Sequence, residues 1–211
     1  MARRTKEEAQ ATRVQILDAA ERVFHAQGVS RASLAEVAKE AGVSRGAIYW
    51  HFENKIDLFQ AMLERLRLPL EELARASESE DEPDPLGCMR ELLIKALTRL
   101  ACEPQTHRTH DILRYKCEYT GELLGLRERM QALSLECDQR IAKALGNAVN
   151  KGQLPEDLDC VRAAVCLHAY MEGIEANWLL VPNFDLAQQA PALVDTVLDM
   201  LRSPALRLMP V

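Results

Sequence analysis

No apolar run in this 211-residue chain approaches the roughly 18 residues that a membrane span requires. The opening Arg3, Arg4, Lys6, Glu7 and Glu8 offer no hydrophobic stretch for a signal peptide, so a cytoplasmic protein is expected. Aromatics at 5% and only nine glycines are few for a β-sandwich or barrel, which favours helices. No C-x-x-C pair occurs among Cys88, Cys102, Cys117, Cys137, Cys160 and Cys166, so neither a zinc site nor a thioredoxin-type motif is suggested. In a reducing compartment these cysteines read as small buried hydrophobes. A Gly-rich phosphate loop, G-x-S-x-G and H-E-x-x-H are all missing, and His107-x-x-His110 has a metal spacing without an obvious carboxylate partner set. Catalysis, a metal and a cofactor are therefore not expected.

What is present is an ordinary globular composition, 48% hydrophobic and 27% charged, with enough chain for one large or two small domains. The net charge of −6 is unevenly spread, since residues 1–55 carry nine Lys/Arg against seven Asp/Glu and the remainder is acidic. A mildly basic head allows a nucleic-acid contact, although a solvated helix face would give the same balance.

Apolar spacing predicts helix after helix, about nine in all, and an all-α fold. Ile16, Leu17, Ala20, Val23 and Phe24 line the first helix, which Gly28 stops. Ser33-Leu-Ala-Glu36 has the spacing of a capping box, opening a short helix that ends near Ala41. Gly42-Val43-Ser44 supplies a tight turn and a cap for a second short helix ending near Phe52. Asn54 can cap a longer helix with Leu58, Phe59, Met62, Leu63, Leu66, Leu70 and Leu73 on its buried side, and Pro69 predicts a kink or break within it. Glu78–Pro85, with five acids and two prolines, reads as an exposed linker. Further helices are expected over about 85–103, 105–118, 122–151, 159–180 and 185–202, with no internal repeat.

Two short helices joined by a Gly-containing turn form the arrangement that places one helix in the DNA major groove, but the spacing alone is common. The residues sharpen it. Ile48 and Phe52 take the packing face of the second helix, leaving Arg45, Gly46, Tyr49 and His51 outward, suited to phosphates and base edges. The run Ala38-x-x-Ala41-Gly42-Val43-Ser44-x-Gly46-x-Ile48-Tyr49-x-His51-Phe52-x-x-Lys55 resembles the DNA-binding signature of the TetR family of bacterial transcription regulators. Arg3 to Glu8, Gly46 to Phe52 and Ala74 to Asp81 resemble its AcrR-type multidrug efflux repressors.

The resemblance implies a helix-turn-helix DNA-binding domain over 1–55 and a larger ligand-binding and dimerisation domain over 56–211. It implies that Ser33 and Ser44 place hydroxyls and helix N-termini against phosphates, that Tyr49, His51 and Lys55 hold the DNA backbone, and that Arg45, Gly46 and Ala47 face bases. Trp50 would pack or touch the backbone. Arg3, Arg4 and Lys6 would form either an arm reaching the duplex or a solvated tail.

Spacing and resemblance together nominate a pocket lined by Leu66, Met89, Leu92, Leu93, Ala96, His110, Leu113, Cys137, Ile141, His168, Met171 and Glu172. Each of these is individually as ordinary in a core. His168, Glu172 and Glu175 recur at helical spacing on an otherwise apolar helix, as either a polar pocket wall or a hydrogen-bonded network at a dimer seam. The family pairs its last two helices with a second copy, which implies a seam of Val161, Val165, Trp178, Leu179, Leu193, Val194, Val197, Leu198 and Leu201 unless that stripe packs on its own domain. The expected function is a homodimeric repressor of an efflux-pump operon that binds a partly palindromic duplex operator and is released by an amphipathic small molecule. The alternative keeps DNA binding and makes thiol oxidation the signal.

Overall fold

A computed structural model describes residues 6–118 and 123–208, and these form helices throughout. The nine expected helices are present, the fourth divided in two. They are α1 (Lys6–Gln27), α2 (Leu34–Glu40), α3 (Arg45–His51), α4 (Lys55–Arg67), α5 (Glu71–Ser77), α6 (Pro85–Cys102), α7 (Pro104–Tyr115), α8 (Leu124–Asn150), α9 (Cys160–Leu180) and α10 (Leu186–Met200). The only extended pairing among the described residues is an isolated bridge between Leu158 and Arg207. No described helix is long and apolar enough to cross a membrane.

The chain divides into two compact units. Among the described residues the first contains 6–67, 105–118 and 123–128, and the second 68–104 and 129–208. α4 packs on α1 and so stays with the first unit, and the chain returns to that unit with α7.

In the first unit α1 packs against α2 and α4, and α2 against α3. Its core is Ile16, Leu17, Phe24, Val37, Ile48, Phe52, Leu58, Phe59 and Met62, all essentially without solvent contact, with the Phe24 and Phe59 rings 6.3 Å apart. Burial of each such side chain is worth roughly 1.5–3 kcal/mol. Gly28 at φ +82° ends α1 and Gly42 at φ +66° makes the α2–α3 turn, both in the left-handed region that a side chain would strain. α7 is joined to the same body by Ile112, fully buried, and by the Val29 amide donating to the Lys116 carbonyl at 2.9 Å.

Pro69 breaks the long helix as its missing N–H requires. α4 ends at Arg67, a 3-10 turn covers Leu68–Leu70, and α5 resumes at Glu71. In the second unit α6 packs against α5 and α10, and α9 against α10, around Met89, Leu97, Leu100, Leu145, Leu167, Met171, Val194 and Val197. The expected linker at Glu78–Pro85 joins α5 to α6 with Glu80, Asp81, Pro83 and Asp84 exposed, and it is tied down at both ends. Arg140 donates to Glu78 at 2.6 Å and to Glu71 at 3.1 and 3.2 Å, while Asp84 caps α6 through the Gly87 amide at 2.8 Å and accepts from Gln153 at 2.6 Å.

Candidate nucleic-acid interface and effector region

The reading head is built by two caps. At the start of α2 the Ser33 hydroxyl accepts from the Glu36 amide, and the Glu36 carboxylate accepts from the Ser33 amide at 2.9 Å and from its hydroxyl at 2.7 Å. The reciprocal box holds the Glu36 carboxyl below its ordinary value, the Ser33 hydroxyl being the largest cause. At α3 the Ser44 hydroxyl accepts from the Ala47 amide at 3.1 Å. Both serines sit at the surface, so their first task is to fix where the two short helices begin.

α3 is anchored from one side only. Ile48 and Phe52 are buried, and the Arg13 guanidinium lies 5.0 Å over the Phe52 ring. The opposite face carries Arg45 and Gly46, exposed, with Tyr49 and Trp50 at 58% and 71% exposure. Two large aromatic side chains left in water beside an arginine, on a helix with a buried back, form a surface made for contact. Ala47 is half-buried, and His51 is half-buried with its ring edge-on to Trp50 at 4.5 Å.

Lys55, expected to hold the DNA backbone, has partners within the unit. Its ammonium donates to the Ser30 carbonyl at 3.1 Å and the Ala32 carbonyl at 3.0 Å, tying the α1–α2 connection to the start of α4. Lys6 opens α1 and is exposed, whereas Arg3 and Arg4 lie outside the described residues.

The residues nominated for a pocket fall in both units. Leu66, His110 and Leu113 belong to the first and are half-buried; the rest belong to the second. There Met89 and Met171 are core, while Leu93 and Ile141 are partly buried against it. Leu92, Ala96 and Cys137 are half-buried, and Glu172 is exposed. The structure does bring Cys137, His168 and Glu172 together. His168 Nδ1 lies 2.7 Å from an Asp138 carboxylate oxygen and Nε2 lies 3.8 Å from Glu172. The hydrogen-bonded Cys137 side chain, and after it Asp138 and Glu172, outweigh the burial that opposes protonation and raise the His168 pKa to about 9. Asp138 was not foreseen. Its position beside Cys137 was the available signal, but the helix-to-helix pairing was not.

The stripe assigned to a subunit seam is mostly internal. Val194, Val197, Leu198, Leu201 and Trp178 are buried in their own unit, because α10 lies against α6 and the Trp178 indole donates to the Phe184 carbonyl at 2.9 Å. Leu179 and Leu193 are half-buried against that same core. Val161 and Val165, by contrast, stand 71% and 50% exposed on α9. Among the described residues no three His, Cys, Asp or Glu side chains converge as a metal set.

Residues 16–62 match the family described as bacterial regulatory proteins, tetR family, and residues 84–203 match the C-terminal region of MAATS-type transcriptional repressors. The chain is 54% identical over 209 residues to the HTH-type transcriptional regulator TtgR of Pseudomonas putida, covering 98% of this chain and all of that one. Among solved structures, NalD, described as the secondary repressor of the MexAB-OprM multidrug efflux pump in Pseudomonas aeruginosa, superposes with a TM-score of 0.78 at 35% identity over 92% of this chain and 97% of that one. A complex of SmeT with triclosan, SmeT being described as the repressor of a Stenotrophomonas maltophilia multidrug efflux pump, gives a TM-score of 0.80 at 34% identity over 96% and 99%.

Proposed function

Because this chain belongs to the TetR family of bacterial transcription regulators, we propose that it is a homodimeric repressor of a multidrug efflux operon, released from a partly palindromic operator by an amphipathic small molecule. The observation that carries the reading is α3, buried at Ile48 and Phe52 and bare at Arg45, Gly46, Tyr49 and Trp50. Arg45 reads base edges with the close backbone approach that Gly46 and Ala47 permit, and Tyr49 holds a phosphate. The efflux target rests on the descriptions of relatives matched over nearly their whole length.

The second copy docks on α9 over the exposed Val161 and Val165. The effector meets the second unit near Leu92, Leu93, Cys137, Ile141 and His168, a mixed apolar and charged wall suited to an amphipathic molecule. The bound molecule need only favour a dimer whose heads are wrongly spaced. A tenfold loss of operator affinity requires about 1.4 kcal/mol of differential binding. The thiol-oxidation alternative gains no support from Cys88 and Cys160, whose thiols burial pushes up, away from the reactive thiolate.

The test is fluorescence anisotropy on labelled DNA from upstream of the gene and of neighbouring pump genes, at stated salt, with and without a panel of amphipathic antibiotics and triclosan. Specific binding reversed by a compound supports the reading. Specific binding that no compound reverses removes the effector site, and no specific binding removes the operator assignment.

A further inference from the structure

The chain passes between the two units at three places, 67/68, 104/105 and 128/129. Two of these crossings meet at a single buried carboxylate in the first unit. Glu21, on the inner face of α1, is 1% exposed. One of its oxygens accepts from Arg65, two residues before the first crossing, and from the Gln105 amide nitrogen at 3.0 Å, the residue that opens the second. Its other oxygen has Arg108 of α7 at 3.6 Å, beyond hydrogen-bond length, and neither that oxygen nor the Arg108 Nε has a hydrogen-bond partner among the described residues. Arg65 reaches α1 a second time through Asp18 at 2.6 Å.

A carboxylate at this depth costs several kcal/mol unless paired, and its neighbours Leu17, Ala20 and Phe24 are apolar core that an apolar side chain would extend without that cost. What a buried ion pair supplies that an apolar contact does not is register, since its hydrogen bonds hold only in one arrangement. Here the arrangement fixed is that of the α4 end and the α7 start on α1, the helix on which α2 is packed and, through α2, α3.

We propose that Glu21 is a positioning residue, a clamp that makes two of the three chain crossings move as one body with the reading head. The proposal rests on the operator reading above, in that the head it positions is the one that binds DNA. Displacement of the chain at residue 68 or 104 is delivered to α1 through Arg65, Gln105 and Arg108, and the ion pair of Arg108 with Glu21, at 3.6 Å longer than a hydrogen bond, leaves the clamp room for a second, closed arrangement. Without the carboxylate α7 is free to shift on α1 although the α2–α3 pair remains folded.

The experiment is hydrogen exchange read by mass spectrometry on the full-length wild type, Glu21→Gln and Gln105→Ala, with operator affinity measured on the same samples. Gln105 is only partly buried, so its variant keeps the test alive if Glu21→Gln does not fold. Loss of a charge-assisted hydrogen bond raises local opening by roughly tenfold or more. Peptides over 104–115 are therefore expected to exchange about that much faster while those over 34–52 keep their wild-type rates, with operator affinity falling several-fold. Faster exchange spread evenly over α1, α2 and α3 would reduce Glu21 to a general stability residue and overturn the proposal, as would unchanged exchange at 104–115. Absence of specific binding by the wild type would instead sink the operator reading, with the exchange pattern still deciding the clamp.

Discussion

Arg140 offers a prediction whose size can be worked from the structure. Its guanidinium makes three hydrogen bonds to two carboxylates of α5 and its C-terminal cap, at 2.6 Å to Glu78 and at 3.1 and 3.2 Å to Glu71. The three side chains are 18–27% exposed, so water screens the pairs in part. Arg140→Ala removes the cation that Glu78 and Glu71 share and leaves Glu71 with the exposed Arg75, and breaking a fully buried pair of this kind costs about 3–5 kcal/mol. With partial exposure, and with α5 able to fray, about 2–3 kcal/mol is expected, or a melting temperature lowered by roughly 5–10 °C in a chain of this size. Calorimetry should place the shift in the transition that unfolds the second unit. Arg75→Ala removes a 77%-exposed guanidinium from the same Glu71, and should cost less than about 0.5 kcal/mol. Burial alone would raise the Glu71 carboxyl, but Arg140 and then Arg75 lower it on balance. Its contribution is therefore complete above its ordinary value and lost as pH falls through the lowered one, so the gap between wild type and Arg140→Ala must narrow on acidification. Equal destabilisation by Arg140→Ala and Arg75→Ala would refute the reasoning.

The His168 imidazole gives the opposite pH sign. With its pKa raised from 6.5 to about 9, the stability it supplies is complete below 6.5 and lost as pH rises through 9; a urea series should show that decline in the wild type and a flatter line in His168→Gln. Cys137→Ala, removing the largest cause, should bring the decline toward lower pH. Ser33→Ala removes the hydroxyl half of the capping box, leaving the Ser33 backbone amide on Glu36, and is expected to cost about 1 kcal/mol by thermal melting and to weaken operator binding through the misplaced α2–α3 pair. Pro69→Ala allows α4 to continue into α5, and should raise helicity by circular dichroism while changing the compound concentration that releases DNA; an unchanged midpoint and unchanged release at saturation would show that the break has no part in transmission.

The helices themselves were legible because each boundary carries a local chemical cause. Gly28, the Ser33–Glu36 box, Gly42, Ser44 and Pro69 act within a few residues of their own positions, and the structure ends or starts a helix at each. Where the cause lies far along the chain it leaves no local sign. Glu78 to Pro85 reads as an exposed linker from its acidic composition, and Glu80, Asp81, Pro83 and Asp84 are exposed, but the partners that hold its ends, Arg140 and Gln153, lie 62 and 69 residues away from Glu78 and Asp84. The apolar stripe of α10 correctly announced a buried face, yet periodicity does not say against what; the face is covered by α6 of the same chain rather than left for a second copy. Lys55 is the same lesson for a charge, since its type suits a phosphate and gives no sign of the two backbone carbonyls to which it donates.

The central claim is that the bare face of α3 reads a duplex. Its most direct test is the anisotropy of labelled upstream DNA titrated with wild type, Arg45→Ala and Tyr49→Ala over a range of salt, each variant first shown to melt as the wild type does. Both residues are exposed, so folding should be unaffected while affinity falls. Arg45→Ala should lose about 1–3 kcal/mol and relax preference for the specific sequence, whereas Tyr49→Ala should weaken specific and nonspecific DNA alike. Variants that melt as wild type and bind the specific DNA with unchanged affinity would contradict the account.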